Sequence, residues 1–265
     1  VALVERLIEL LNHQITPVVP ERGSVGASGD LAPLAHACLA VLGEGEVFVK
    51  GARMPAAAAL AQCGLQPMML EAKEGLALLN GTHLMASRGA LAFAALEPVL
   101  EAAIGATAMS IDACMASDAP LDPRIHAARR QPGQMVVAER LRFLLQGSQI
   151  LPAHRENDVR VQDPYALRCA PQVLGAAMDQ LRAQRGVIER ELGAVTDNPL
   201  VVSDGADGFD VVSGGNFHGM PLAIAMDAAK IAVCHIAGIS ERRSFWVLGG
   251  FDRVNPVKPY LAGDP

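Results

Sequence analysis

Apolar residues recur along this chain mostly at helical spacing, and only once do they alternate convincingly. Val1, Val4, Leu7, Ile8 and Leu11 form one stripe with Glu5, Arg6 and Glu9 off it, which predicts a helix over 1–14 closed by Pro17 and Pro20. A glycine-rich loop follows from Gly23 to Gly29, and Asp30 starts a second apolar stretch to Leu42 with Pro33 in its first turn. Residues 43–54 alternate, with Gly51 turning the chain, and read as the one short β-hairpin. Helices are predicted over 55–63, with Gly64 as C-cap, over 71–79, and over 82–117, where Pro98 should kink or interrupt an otherwise apolar run. Residues 118–133 read as loop, 134–146 as helix and 147–163 as polar loop. Long helices are predicted over 165–194 and 219–243, with a short β-like excursion between them. The fold class is therefore all-α: a helical bundle of long buried helices, read as a single helical region over 1–265 with no internal boundary.

Composition narrows this picture. With 265 residues, 51% hydrophobic and 19% charged, the chain has ample material for a core. Its 22 basic and 28 acidic side chains leave a net charge of −6, which argues against a nucleic-acid groove. Cys38, Cys63, Cys114, Cys169 and Cys234 are scattered, odd in number and without a C-x-x-C pair, as expected of reduced thiols in a cytoplasmic setting. No run of about 18 uninterrupted apolar residues suggests a membrane span, and no basic-then-apolar start suggests a signal peptide. The seven histidines never occur as H-x-x-x-H, so a metal site is not expected. Val1 opens inside a helical pattern and the last residues have loop chemistry, so the chain is read as a central piece of a longer protein.

Gly23-Ser24-Val25-Gly26-Ala27-Ser28-Gly29-Asp30-Leu31-Ala32-Pro33-Leu34 carries the most chemistry. It does not fit a phosphate loop, because no Gly-Lys-Ser/Thr follows. It does not fit a serine-hydrolase elbow, because Ser28 is followed directly by Gly29. Two readings remain open on the residues alone. Ser28 or Asp30 could cap the following helix. Alternatively, Ala27-Ser28-Gly29 could cyclise. The Gly29 nitrogen would attack the Ala27 carbonyl carbon with loss of two waters, one taken from the Ser28 side chain, to give an electrophilic methylidene-imidazolone. Glycine permits the close approach, serine supplies the leaving hydroxyl and alanine allows the tight turn.

The same segment resembles the signature of the aromatic amino acid ammonia-lyases, the family of histidine and phenylalanine lyases. Four further blocks resemble that family in order: 75–82, Val161-Gln162-Asp163-Pro164-Tyr165-Ala166-Leu167-Arg168-Cys169, Thr196-Asp197-Asn198-Pro199-Leu200, and Gly214-Gly215-Asn216-Phe217-His218-Gly219. The resemblance spans nearly the whole chain and is strongest to the histidine-acting branch. The phenylalanine or tyrosine branch, the related aminomutases and a non-catalytic helical assembly protein are the alternatives.

The resemblance implies roles residue by residue. Ala27, Ser28 and Gly29 would be the precursors of the ring (MIO). Asn80 would hydrogen-bond near ring and substrate, where the residues alone suggest a helix C-cap. Arg168 would clamp the substrate carboxylate with its guanidinium fork. Tyr165, three residues earlier on the same helix face, would contact ring or substrate amine. Gln162 would bond an imidazole, and Phe217 would pack beside the ring. The reaction implied is loss of ammonia from an aromatic L-amino acid, histidine first, giving trans-urocanate in histidine catabolism. A homotetramer is implied, with active sites shared between subunits. The family's proton-abstracting tyrosine lies upstream of the ring segment, yet Tyr165 and Tyr260 are the only tyrosines here. The chain alone is therefore expected to be inactive. Arg124-Ile125-His126-Ala127-Ala128-Arg129-Arg130 reads as a solvated face or a subunit contact.

Overall fold

The computed structural model describes residues 2–25, 30–156, 158–205, 208–252, 254 and 256–263. Helices dominate it, as the periodicity requires. The chain divides into two compact units: residues 1–90 with 187–224, and 91–186 with 225–265.

The first unit opens with α1 (Ala2–Asn12). Its buried residues are Leu3 and Leu10, whereas Val4, Leu7, Ile8 and Leu11 of the predicted stripe are exposed. The helix is apolar on two sides, and only one of them is covered by this chain. β1 (Ile15–Pro17) then pairs antiparallel with β2 (Glu46–Val49), which pairs with β3 (Ala52–Pro55). The predicted hairpin thus gains a third strand. Lys50 (φ 50°) and Gly51 (φ 83°) make its two-residue turn, in the left-handed conformation that suits the twist of paired strands. α2 (Leu31–Leu39) and α3 (Ala56–Gln62) complete a core in which Val41, Val47, Ala56, Ala59 and Leu60 are fully buried. Gly64, at φ 71°, ends α3 as predicted. α4 (Glu74–Leu79) follows. Later in the chain, β4 (Leu200–Ser203) pairs with β5 (Phe209–Val212), a second small sheet where the sequence suggested only a β-like excursion.

Three long helices contribute to both units: α5 (His83–Ala113), α10 (Ala170–Leu192) and α11 (Met220–Leu248). Pro98 does not interrupt α5. Both Pro98 and Ala94, whose carbonyl has lost its donor, face solvent, so water can replace the missing bond.

The second unit holds three shorter helices, α6 (Pro123–Arg129), α7 (Pro132–Leu144) and α8 (Ile150–Ala153), before the single turn α9 (Tyr165–Arg168). α6 lies where the sequence suggested loop. Its proline is a starter and not a breaker, because Pro123 occupies the first turn and the Asp122 carboxylate accepts from the Arg124 N–H at 2.8 Å. On α6, Arg124 is solvated, but His126 is 1% exposed, which corrects the solvated-face reading for that residue. The Gln134 amide donates to His126 Nδ1 at 2.8 Å, and His126 Nε2 donates to the Pro120 carbonyl at 3.0 Å, the arrangement of a neutral imidazole. α7 meets α10 at two glycines: a Cβ on Gly133 would collide with the Gly175 carbonyl, and the Gly133 N–H donates to Asp179 at 2.9 Å.

The segments Glu74–Ala113 and Met220–Leu248 are long and apolar enough to cross a membrane by length and composition, which an uninterrupted-run criterion does not detect. Only 22% and 33% of their apolar windows are buried within the chain. The expected burial all round is thus not achieved by these helices alone; Leu91, Met109, Ile224 and Ile231 are each more than half exposed.

Candidate active site

In the second unit, the segment leading into α9 is held by charge. Arg160 lies between Asp163, at 3.5 Å, and Asp252, at 3.9 Å, with both carboxylates almost fully buried. Its guanidinium also donates to the Met115 carbonyl, and Asp163 accepts the Ser117 N–H at 2.7 Å. Behind α9, Arg243 is 5% exposed and donates to Thr107 Oγ1 at 2.7 Å and to the Ala166 carbonyl at 3.4 Å. Burial pushes its pKa below the usual arginine value, since a buried cation is poorly solvated.

These anchors leave Tyr165 and Arg168 on one side of a single turn. The Arg168 guanidinium carbon stands 4.6 Å from the centroid of the Tyr165 ring, a cation–π contact. Arg168 makes no ion pair and no side-chain hydrogen bond among the described residues, and its Nε is buried without a partner. It lines a cleft of about 420 Å³ together with Gln162, Cys169, Gln172 and Ser117. Gln162 is exposed, and so is Tyr165 at 70%. Gln172, one turn beyond Arg168, also has a buried oxygen without a donor among the described residues. Sequence reasoning did not single out Gln172; its i+4 spacing from Arg168 was the available signal.

In the first unit, Asn80 ends α4, and its backbone N–H donates to the Leu76 carbonyl at 2.8 Å. The C-cap reading is thus correct for its backbone. Its side chain does something else: Nδ2 donates to Asp197 Oδ1 at 3.1 Å and to the Asn198 carbonyl at 3.4 Å. Asp197 also accepts from Lys73 Nζ at 2.5 Å and from the Asn198 N–H at 2.6 Å. Burial works to raise the Asp197 pKa, but these hydrogen bonds and the lysine charge outweigh it, so the carboxyl is held below its ordinary value. Gly81 makes the approach possible, because a Cβ there would be 2.7 Å from the Thr196 carbonyl oxygen. Asn198 Oδ1 in turn accepts the Gly214 N–H at 2.6 Å. Phe217 lies nearby in sequence and is half-buried. Lys73 and Asp197 are the residues here that motif reading left without a role.

Ala27, Ser28 and Gly29 lie outside the described residues. Their neighbour Asp30 is 2% exposed. It stands at the N-cap of α2 but makes no side-chain cap bond; it accepts from the Ser24 hydroxyl instead, and its other oxygen is buried without a partner among the described residues. The structure thus removes Asp30 from the capping reading.

An all-helical fold with an unpaired guanidinium in a cleft can take a small carboxylate by charge and hydrogen bonds. Among the described residues no group of three His, Cys, Asp or Glu side chains could hold a metal ion. The sequence pattern of the aromatic amino acid lyases matches residues 1–264, and the chain belongs to that family. Among its curated relatives is a histidine ammonia-lyase of Geobacillus thermodenitrificans, 51% identical over 269 residues, which covers 99% of this chain and 51% of the relative. Solved structures similar to it include the histidine ammonia-lyase of Trypanosoma cruzi (TM-score 0.84, 37% identity, 97% of this chain and 48% of that one). Another is the tyrosine aminomutase of Streptomyces globisporus (TM-score 0.87, 36% identity, 100% of this chain and 52% of that one). The chain spans about half the length of the relatives it matches.

Proposed function

We propose that the complete protein carrying this chain eliminates ammonia from an aromatic L-amino acid, with L-histidine as substrate and trans-urocanate as product. The observation that carries this reading is the Arg168 guanidinium, unpaired among the described residues and facing a cleft large enough for one amino acid. Arg168 binds the substrate carboxylate, and each charged hydrogen bond contributes about 1.5–3 kcal/mol. Gln162, exposed on the same cleft, offers a hydrogen bond to an imidazole. Tyr165 covers one side of the guanidinium by a cation–π contact at 4.6 Å. Histidine is preferred over phenylalanine and tyrosine because the relatives near 50% identity are histidine ammonia-lyases.

The electrophile fits the residues present. Ala27-Ser28-Gly29 is the required triplet, and it is followed directly in sequence by buried Asp30, one of whose oxygens has no partner among the described residues. Once formed, the methylidene-imidazolone supplies an electron-poor carbon that activates the substrate toward loss of its amine. Asn80 would hydrogen-bond to that group and Phe217 would pack beside it. Tyr165 and Tyr260 are the only tyrosines, and neither lies before the triplet where the proton-abstracting tyrosine is expected, so this chain alone does not turn over.

Copies of the protein assemble, as a homotetramer, over the apolar faces that α1, α5 and α11 leave bare. Five free cysteines suit a reducing cytoplasm.

The test is to incubate the complete protein with L-histidine, L-phenylalanine and L-tyrosine and follow urocanate, cinnamate or coumarate absorbance. Urocanate alone is expected. A second check is intact mass, where a deficit of two waters reports ring closure and an unmodified mass contradicts it.

A further inference from the structure

The contacts around Asn80 carry a consequence for two residues without an assigned role. A carboxamide has two nearly isosteric ends, and its neighbours decide which way it faces. Here both neighbours, the Asp197 carboxylate and the Asn198 carbonyl, are acceptors only, so the Asn80 nitrogen must turn toward them. No donor among the described residues reaches its oxygen, which is left as the group Asn80 presents. Asp197 is the hub of this arrangement, taking hydrogen bonds from Asn80, Lys73 and the Asn198 backbone with only 18% of its side chain exposed. Lys73 reaches it across 124 positions of sequence, bonds the Asn198 carbonyl as well, and starts α4 from a left-handed backbone conformation (φ 75°). The same short helix therefore bears Lys73 at one end and Asn80 at the other, and both ends fasten to one carboxylate.

We propose that Lys73 and Asp197 are positioning residues that lock the orientation of the Asn80 carboxamide, and that they act on the reaction through Asn80. The inference rests on the elimination reading above. Lys73 neutralises the half-buried Asp197 and holds it ionised. Without it, the Asp197 carboxylate and the Asn198 carbonyl lose the ammonium that ties them together, and the Asn80 nitrogen no longer meets acceptors held in one place.

The experiment uses the complete protein and a double-mutant cycle. Lys73→Met should lower kcat/KM for L-histidine by about tenfold to a hundredfold, the scale of a misplaced catalytic-site group. In an Asn80→Ala background the same change should cost less than about threefold, because its target is gone. Lys73→Arg, which keeps the charge and a donor, should stay within about threefold of the unaltered protein. The two-water mass deficit should persist in Lys73→Met, so a loss cannot be ascribed to failed ring closure. Titration with trans-urocanate should show weaker binding in Lys73→Met than in Lys73→Arg. Equal losses with and without the Asn80→Ala change, or no loss at all, would overturn the inference while leaving the elimination reading intact. Absence of turnover of histidine, phenylalanine and tyrosine by the unaltered protein overturns both.

Discussion

The surroundings of Asn80 and of Arg168 are opposites. Around Asn80 the polar groups are matched: Lys73 and the Asn80 nitrogen both find Asp197, and Asn198 binds Gly214. Around Arg168 they are not: its Nε and the Gln172 oxygen are buried and unmatched, while Gln162 and Tyr165 project into solvent. A buried polar group without a partner costs about 1–3 kcal/mol, so a fold keeps one only where something else returns it. The first arrangement holds a side chain still; the second, on the function proposed above, is the one that takes a ligand. Removing a member of the first should therefore loosen the fold as well as misplace Asn80, whereas removing a member of the second should damage the reaction and leave the fold nearly untouched.

Four measurements can break or sharpen this contrast. The largest effect is expected at the open cleft: Arg168→Lys in the complete protein should reduce kcat/KM for L-histidine by about a hundredfold, because lysine lacks the bidentate fork. Its thermal unfolding should barely move, since only a cation–π contact of about 0.5–1 kcal/mol is lost. Unchanged kinetics would remove the carboxylate-clamp role. Next is Gly175→Leu, where the added side chain meets the Gln134 and Gly133 backbone. It should cost about 2 kcal/mol in urea unfolding, because backbone cannot yield as a flexible side chain does. It sets the scale for purely structural damage. At the closed cluster, Asp197→Ala should cost about 1–3 kcal/mol in the same assay by stranding the Lys73 and Asn80 donors. No change in the unfolding midpoint would mean water replaces the carboxylate freely, and the two regions would not differ as argued.

The smallest effect is a pH dependence. His126 is held neutral: burial lowers its pKa from the ordinary 6.5, outweighing the opposing bond to the Pro120 carbonyl. As pH falls below about 6.5, the unfolded chain takes up a proton that the folded one refuses. Stability should therefore be fully present above that pH and decline toward acid. His126→Gln should flatten this acid limb in unfolding curves from pH 7.5 to 5.5. A steep limb in the variant would assign it to other groups.

Much of the fold was legible before any coordinates. The period of the apolar residues marked the long helices, and Gly51 and Gly64 marked a turn and a helix end, because each is a local property of backbone and side chain. Errors fell where local signals are ambiguous. Pro123 and Pro132 were read as loop chemistry although proline also starts helices. The stripe that marked α1 did not say whether this chain would cover it, and Val4, Leu7, Ile8 and Leu11 lie on the exposed side of a helix that is apolar on two faces. For the candidate site, the ordered blocks singled out Asn80, Gln162, Tyr165 and Arg168. They were silent on Lys73, which meets Asp197 only through folding, and on Gln172, for which spacing from Arg168 was the one signal.

By itself the sequence determined the helical class and the family, and it supplied the Ala27-Ser28-Gly29 triplet proposed to cyclise, since each is written in spacing and residue type over short stretches. Tertiary structure decided which polar groups are matched and which are left waiting. It took an approach over 117 positions, from Asn80 to Asp197, to turn a carboxamide one way. It took a buried scaffold of Arg160 and Arg243 to hold α9 so that Arg168 faces a cleft without a partner among the described residues. Hydrogen bonding acts over about 3 Å, and only folding brings such distant residues within that range.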